Sequence, residues 1–214
     1  MIRLVLTLAL ALWAAAGAAA DAAAAAGVGT PGGVGAPVSA SDGREVLYLN
    51  LVWHQHQPLY FKDAGVATRP WVRVHATKDY YDMAAMLRQY PDVHVTFNLT
   101  PVLIRQLDEL AAGTKDAYQV TAEKPAATLA AADRRFILER FFDANWTNII
   151  ARFPRYQELL TKRGGSTEAA IAAALPRFTE QDYRDLQVWF NLAWFDPEFL
   201  AAAPLSALAE KGRG

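Results

Sequence analysis

The sequence predicts an α/β fold: the N-terminal part of a larger parallel-sheet domain that carries a helical insertion. Three observations predict it. Two apolar runs of strand length, VLYLNLVW at residues 46–53 and VHVTFNL at 93–99, are almost continuously hydrophobic, as strands buried on both faces of a parallel sheet are. Between them, residues 75–90 repeat apolar side chains at helical spacing, which makes a strand–helix–strand unit with an expected right-handed crossover. After residue 113 the chain reads as helix upon helix and ends without a third strand. A small α+β domain complete in itself is the alternative.

Each element rests on local signals. Residues 1–20 read as an export signal: Arg3, then the apolar LVLTLALALWAAA, then small residues from Gly17 to Ala20, with cleavage expected before Asp21. A retained membrane anchor is the competing reading, but the apolar part falls short of the about 20 residues of a bilayer span. Residues 21–43, rich in Ala, Gly, Pro and Ser, form a flexible linker. The folded region is expected from residue 44 to 214. The export signal implies a secreted or periplasmic location, with no membrane association after signal cleavage.

In the helix at 75–90 the apolar stripe is Tyr80, Met83, Met86, Leu87 and Tyr90, with Pro91 as the stop. A second helix starts at Thr100-Pro101, with an N-cap and a proline where the first turn tolerates one. Its face is Leu103, Leu107 and Leu110, and Gly113 ends it. A third is expected over 132–150, with Phe142, Trp146 and Ile149 on one side, and Pro154 breaks the pattern. Gly164-Gly165 marks a loop. A fourth helix runs over 179–195, entered through Thr179 and closed before Pro197. Tyr183, Leu186, Phe190 and Ala193 line it, and Trp189 and Trp194 broaden the apolar face.

Composition narrows the function. The formal net charge is −1, which gives no basic footprint for nucleic acid. There is no cysteine, so disulfides, thiolate metal sites and a lipid-modified cysteine are excluded. Six Trp, eight Tyr and ten Phe are enough both to fill a core and to offer flat faces to sugar rings.

Parallel α/β sheets bind ligands where strands meet their following loops at the carboxyl edge. The first strand leads into His54, Gln55, His56 and Gln57, and the second into Asn98 and Thr100. If the strands are neighbours, these groups share one mouth. His-x-His is also a metal arrangement, and His75 and His94 would complete four histidines, with His94 inside the second strand. A neutral amide such as Gln57 suits sugar hydroxyls better, because it both donates and accepts. Polyol binding is the preferred reading; a metal site and purely structural histidines stay open. Asp79, Asp82, Asp108, Glu109 and Asp185 fall on helices, where solvation or pairing with Lys and Arg is expected, and no carboxylate pair suited to glycoside cleavage stands at a strand end. No Gly-x-Ser-x-Gly elbow and no phosphate-cradling loop occurs. Asn98 and Asn145 open Asn-x-Thr sequons.

Trp53-His-Gln-His-Gln-Pro-Leu-Tyr60 resembles the first sequence signature of glycoside hydrolase family 57. The segments 71–83, 95–101, 136–146 and 182–197 resemble the next stretches of one branch of that family, so the likeness covers residues 46 to about 213 in order. The family acts on α-glucans, as α-amylases, amylopullulanases, branching enzymes and 4-α-glucanotransferases. The resemblance implies an incomplete seven-stranded (β/α) barrel with a helical region after it. It implies retention of anomeric configuration by a Glu nucleophile and an Asp acid/base, both expected beyond residue 214, so the chain alone is expected to be inactive. His56, Gln57 and Pro58 match the core of the signature and His54 the histidine before it. The substrate-binding residues expected are therefore His54, His56, Gln57 and Asn98, with an oligo- or polysaccharide as partner and with no metal and no cofactor. A metal-dependent hydrolase or polysaccharide deacetylase, and a non-catalytic carbohydrate-binding module, are the alternatives.

Overall fold

A computed structural model describes residues 47–211. The expected export signal at 1–20 and linker at 21–43 lie outside the described residues.

The first element is β1 (Val52–Gln55). A hairpin comes next, β2 (Lys62–Asp63) antiparallel to β3 (Val66–Ala67). Its two-residue turn is Ala64-Gly65, with φ of 46° and 84°. Positive φ at both positions gives the twist that such a turn needs between right-twisted strands. Then come α1 (Trp71–Ala76), α2 (Asp79–Ala85), a 3-10 turn (Met86–Gln89) and β4 (Thr96–Leu99). β1 and β4 pair in parallel, with Trp53 opposite Phe97 and His54 opposite Asn98.

The strand–helix–strand order is as expected, with three corrections. The first strand spans 52–55 rather than 46–53, and Leu47, Tyr48 and Leu49 are 92%, 72% and 78% exposed. An apolar run is buried only where other elements cover it, and among the described residues this sheet has two strands. The second strand is confined to 96–99, so His94 precedes it, and all four of its residues are exposed. The helix expected over 75–90 is interrupted at Thr77-Lys78. The Thr77 hydroxyl lies 3.1 Å from the Val74 and Trp194 carbonyl oxygens, and Lys78 takes a non-helical conformation (φ −138°, ψ −84°). A hydroxyl bonded to nearby backbone competes with the helix ladder. The Asp196 N–H donates to the Thr77 carbonyl, which fixes this break against the far end of the chain.

After β4 the chain is helical. α3 (Pro101–Ala111) starts with Pro101 at its first position; Thr100 is extended before it, but its side chain makes no capping bond. Leu103 is fully buried, whereas Leu107 and Leu110 are half-buried. α4 (Ala117–Ala122) is capped by Asp116, which accepts from the Gln119 N–H at 2.9 Å. α5 (Ala131–Arg140) ends ten residues before the expected 150. Beyond it, Asn145 Oδ1 accepts from the Thr147 and Asn148 N–H groups, a local turn that displaces helix, and Trp146 is 45% exposed. Pro154, expected as a break, begins α6 (Pro154–Arg163), since the first helical position needs no N–H. Gly164-Gly165 is a loop, and α7 (Glu168–Ala174) comes after it.

α8 (Glu180–Leu192) starts where the sequence places it. The Thr179 hydroxyl accepts from the Asp182 N–H, and the Asp182 carboxylate accepts from the Thr179 N–H at 2.7 Å, a reciprocal capping box. Pro197 opens a further short helix, α9 (Pro197–Leu200), and α10 (Leu205–Lys211) ends the described chain.

The core sits among α4 to α8 rather than against the sheet. Tyr118, Ile137, Leu138, Phe141, Tyr156, Leu159, Tyr183, Leu186 and Phe190 are essentially inaccessible. Phe190 stacks on Phe141 at 5.0 Å and on Tyr118 at 5.3 Å. Burying each such side chain stabilises the fold by about 1.5–3 kcal/mol. The architecture is thus mixed α/β and mostly helical; among the described residues no barrel closes.

Candidate functional site

Parallel pairing of β1 with β4 sets the geometry of the mouth. Along β1 the side chains alternate: Val52 and His54 are exposed, and Gln55 is buried with Trp53 partly so. The register puts His54 opposite Asn98, and His54 Nδ1 lies 2.6 Å from Asn98 Oδ1. With the amide oxygen as acceptor, Nδ1 carries a proton in this contact. The His56 ring is 5.2 Å from that of His54, tilted by 33°. Behind them Trp53 meets Phe97 edge to face at 5.2 Å. His54, His56 and Asn98 therefore form one exposed group at the carboxyl end of the sheet.

Gln57 points elsewhere. Its Oε1 accepts from the Tyr60 hydroxyl at 2.7 Å, and its Nε2 donates to the Tyr80 hydroxyl at 3.1 Å. Burial is the main cause that raises both tyrosine pKa values. For Tyr60 the neighbouring Tyr80 adds to it and Arg69 opposes it; for Tyr80 the bond from Gln57 opposes it and Asp79 adds to it. Both phenols therefore keep their protons at neutral pH. The loop is strapped from below by Gln106 of α3, which is buried. Its Oε1 accepts from the Tyr60 N–H at 2.9 Å, and its Nε2 donates to the Pro58 carbonyl at 3.0 Å. Buried Gln55 meets the Met83 sulfur of α2 at 3.4 Å.

His75 lies in the last turn of α1 and bonds through Nδ1 to Asp79 at the start of α2. Aromatic rings surround it: Trp194 at 5.4 Å, Tyr80 at 6.2 Å and Trp71 at 6.3 Å. Burial raises the Asp79 carboxyl, but His75 and Lys78 outweigh it and hold the carboxyl below its usual range. His75 is thus engaged with Asp79 and aromatic rings, and His94 lies in the segment before β4. Among the described residues no three His, Asp or Glu side chains come together to hold a metal ion.

The helical carboxylates are largely paired. Asp185 is fully buried against Arg155, Asp82 bonds Lys78, and Glu109 bonds Lys62 and Arg105. Among the described residues no carboxylate ion-pairs with His54 or His56. The groups gathered around this strand end are imidazole, amide, phenol and aromatic rings. Helical spacing alone assigns Tyr80 to an apolar stripe, and it carries no signal for Gln106, whose partners lie 46 and 48 residues away.

Residues 50–203 match the model of a family described as Glycosyl hydrolase family 57. No curated protein and no solved structure matches the chain.

Proposed function

Because the chain belongs to glycosyl hydrolase family 57, we propose that it forms the sugar-binding wall of an enzyme that hydrolyses or transfers α-glucan chains with retention. The observation that carries this reading is the pairing of His54 with Asn98 across parallel strands, beside a loop whose polar groups are neutral. Neutral donors and acceptors in hydrogen-bond range, with aromatic faces close by, fit a polyol. His54, His56, Gln57 and Asn98 contact sugar hydroxyls on this reading, while a nucleophile Glu and an acid/base Asp are supplied from outside the described residues. Export of the chain belongs to the same proposal, resting on the character of residues 1–20.

Titration of the 214-residue chain with maltotetraose tests it, monitored by NMR or calorimetry. Binding is expected, weakened about fivefold to tenfold in His54→Ala and in Asn98→Ala, the effect of one lost hydrogen bond. No binding at millimolar sugar would overturn the reading. Reducing sugar released from amylose by this chain alone would overturn the assignment of the carboxylates.

A further inference from the structure

Two carboxyls meet where α2 packs against the far end of the chain. Asp196 is 3% exposed. Its N–H donates to the Thr77 carbonyl at 3.0 Å, and its Oδ1 accepts from the Glu198 N–H at 2.7 Å. Its Oδ2 is buried with no donor to satisfy it. A side chain in hydrogen-bonding reach of this carboxyl is Asp82 of α2, itself paired with Lys78 at 3.1 Å.

An ionised carboxylate only accepts, so two of them in contact set lone pair against lone pair, whereas a protonated carboxyl donates. One proton on Asp196 Oδ2 satisfies the orphaned oxygen and turns the contact into an O–H···O bond to the Asp82 carboxylate. Burial and then Asp82, which push the Asp196 carboxyl up to about 6, favour that proton; the Glu198 N–H and Lys78 oppose it. The other titratable groups on the elements packed here are engaged elsewhere. Asp79 holds His75, and Glu198 joins Tyr81 and Arg88 in an exposed cluster.

The contact lies on a seam that reaches the strand-end site. Across the seam the Thr77 hydroxyl donates to the Trp194 carbonyl at 3.1 Å. On α2, Asp82 stands between Tyr80, whose hydroxyl meets the Gln57 amide at 3.1 Å, and Met83, whose sulfur meets Gln55 at 3.4 Å. α2 is thus held by residues 194–198 and in turn backs the loop after β1.

We propose that Asp82 and Asp196 share one proton and form a latch that closes α2 onto residues 194–198 in mild acid, and that its loss to solvent loosens α2 and with it the wall behind the glucan site. Once the proton has left, two negative groups stand together, and Asp196 is too buried to be hydrated in place. Parting the seam relieves both. The proposal rests on the glucan-binding reading above for its ligand alone.

The test uses the 214-residue chain. In carbon-13 NMR the Asp82 and Asp196 carboxyl signals should move together through one step near pH 6, and the Met83 methyl signal should follow it. Asp82→Asn replaces the acceptor by an amide that can donate, and should lower the Asp196 step by about one pH unit. Asp196→Asn should remove the step from Met83. Maltotetraose affinity should fall at least about threefold from pH 5 to pH 7.5 in wild type, and Asp196→Asn should recover it. An Asp196 step that Asp82→Asn leaves in place, a Met83 signal that ignores the step, or the same loss of affinity in Asp196→Asn would each overturn the latch. Should Asp82→Asn not fold, separate steps for the two carboxyls in wild type would overturn it. Absence of sugar binding at both pH values would overturn the glucan reading, and the carboxyl and Met83 signals would still decide the latch.

Discussion

Arg155 and Asp185 meet in the helical core, Nε to Oδ2 at 2.7 Å, with Asp185 fully inaccessible and Arg155 9% exposed. A second carboxylate, Asp182, accepts from the same guanidinium at 2.7 Å. The pairing ties α6 to α8, the longest helix described. Removing Asp185 leaves Arg155 paired with Asp182 and with the more exposed Glu158, and costs the buried charge-assisted bond. Asp185→Ala is expected to destabilise the chain by about 1.5–3 kcal/mol, read from urea or thermal unfolding. A loss below about 1 kcal/mol would contradict this account.

Arg163 predicts the opposite. It is 2% exposed, and among the described residues no carboxylate ion-pairs with it. Its guanidinium lies over the Phe142 ring at 4.5 Å and the Trp146 ring at 5.4 Å, and one nitrogen donates to the Leu138 carbonyl near the end of α5 at 3.3 Å. A second nitrogen, Nη2, is buried without a partner, and burial holds the group below the ordinary arginine range. Arg163→Met keeps most of the length and removes the desolvated charge. It should be neutral or stabilising by about 1 kcal/mol, measured by the same unfolding curves.

Stability should also depend on pH through Asp196, the N-cap of α9. Burial, and then the neighbouring Asp82, push its carboxyl from 3.8 up to about 6, with the Glu198 N–H and Lys78 opposing. Between these values the folded chain holds a proton that the unfolded chain has released. The contribution is therefore full below pH 3.8 and lost as pH rises through about 6. The melting temperature should be higher at pH 5 than at pH 7.5, by an amount worth about 1.4 kcal/mol. Asp196→Asn, which keeps a capping side chain, should flatten that slope; a slope that persists in the variant would assign it to another group. Asp182 acts in the other direction. Burial raises its carboxyl, but Lys162, Thr179 and Arg155 outweigh that and hold it well below 3.8, so its contribution is present above that pH and lost only in stronger acid.

Gly164 ends α6 with φ 78° and ψ −137°, a conformation open to glycine and costly for any side chain. Gly164→Ala should lower stability by about 1–3 kcal/mol although nothing lies within 4 Å of the added carbon. A thermal melt that coincides with wild type would show that the loop relaxes at no cost.

Much of the local structure was legible because its causes are local. Thr179 announces an N-cap, and α8 starts there, with Asp182 completing a capping box. Thr100-Pro101 opens α3, though the Thr100 hydroxyl finds no capping partner. His54 and Asn98 were legible as neighbours on the condition that the two strands pair, and the parallel register supplies that condition. The expectations that failed depended on partners far away. Residues 47–49 look like core and are exposed. The helix over 75–90 breaks at Thr77 because its hydroxyl and carbonyl are held by Trp194 and Asp196, more than a hundred residues on.

By itself the sequence determined the strand–helix–strand order, the starts of α3 and α8, and the group of residues around His54. These depend on capping, proline chemistry and apolar spacing, which act over a few residues. Tertiary structure alone decided that His54 meets Asn98, that Gln57 turns to Tyr60 and Tyr80, and that Asp185 is sealed against Arg155. The His54–Asn98, Gln57–Tyr80 and Arg155–Asp185 contacts join groups 44, 23 and 30 residues apart. No periodicity carries such distances; strand pairing and helix packing fix which surfaces face each other.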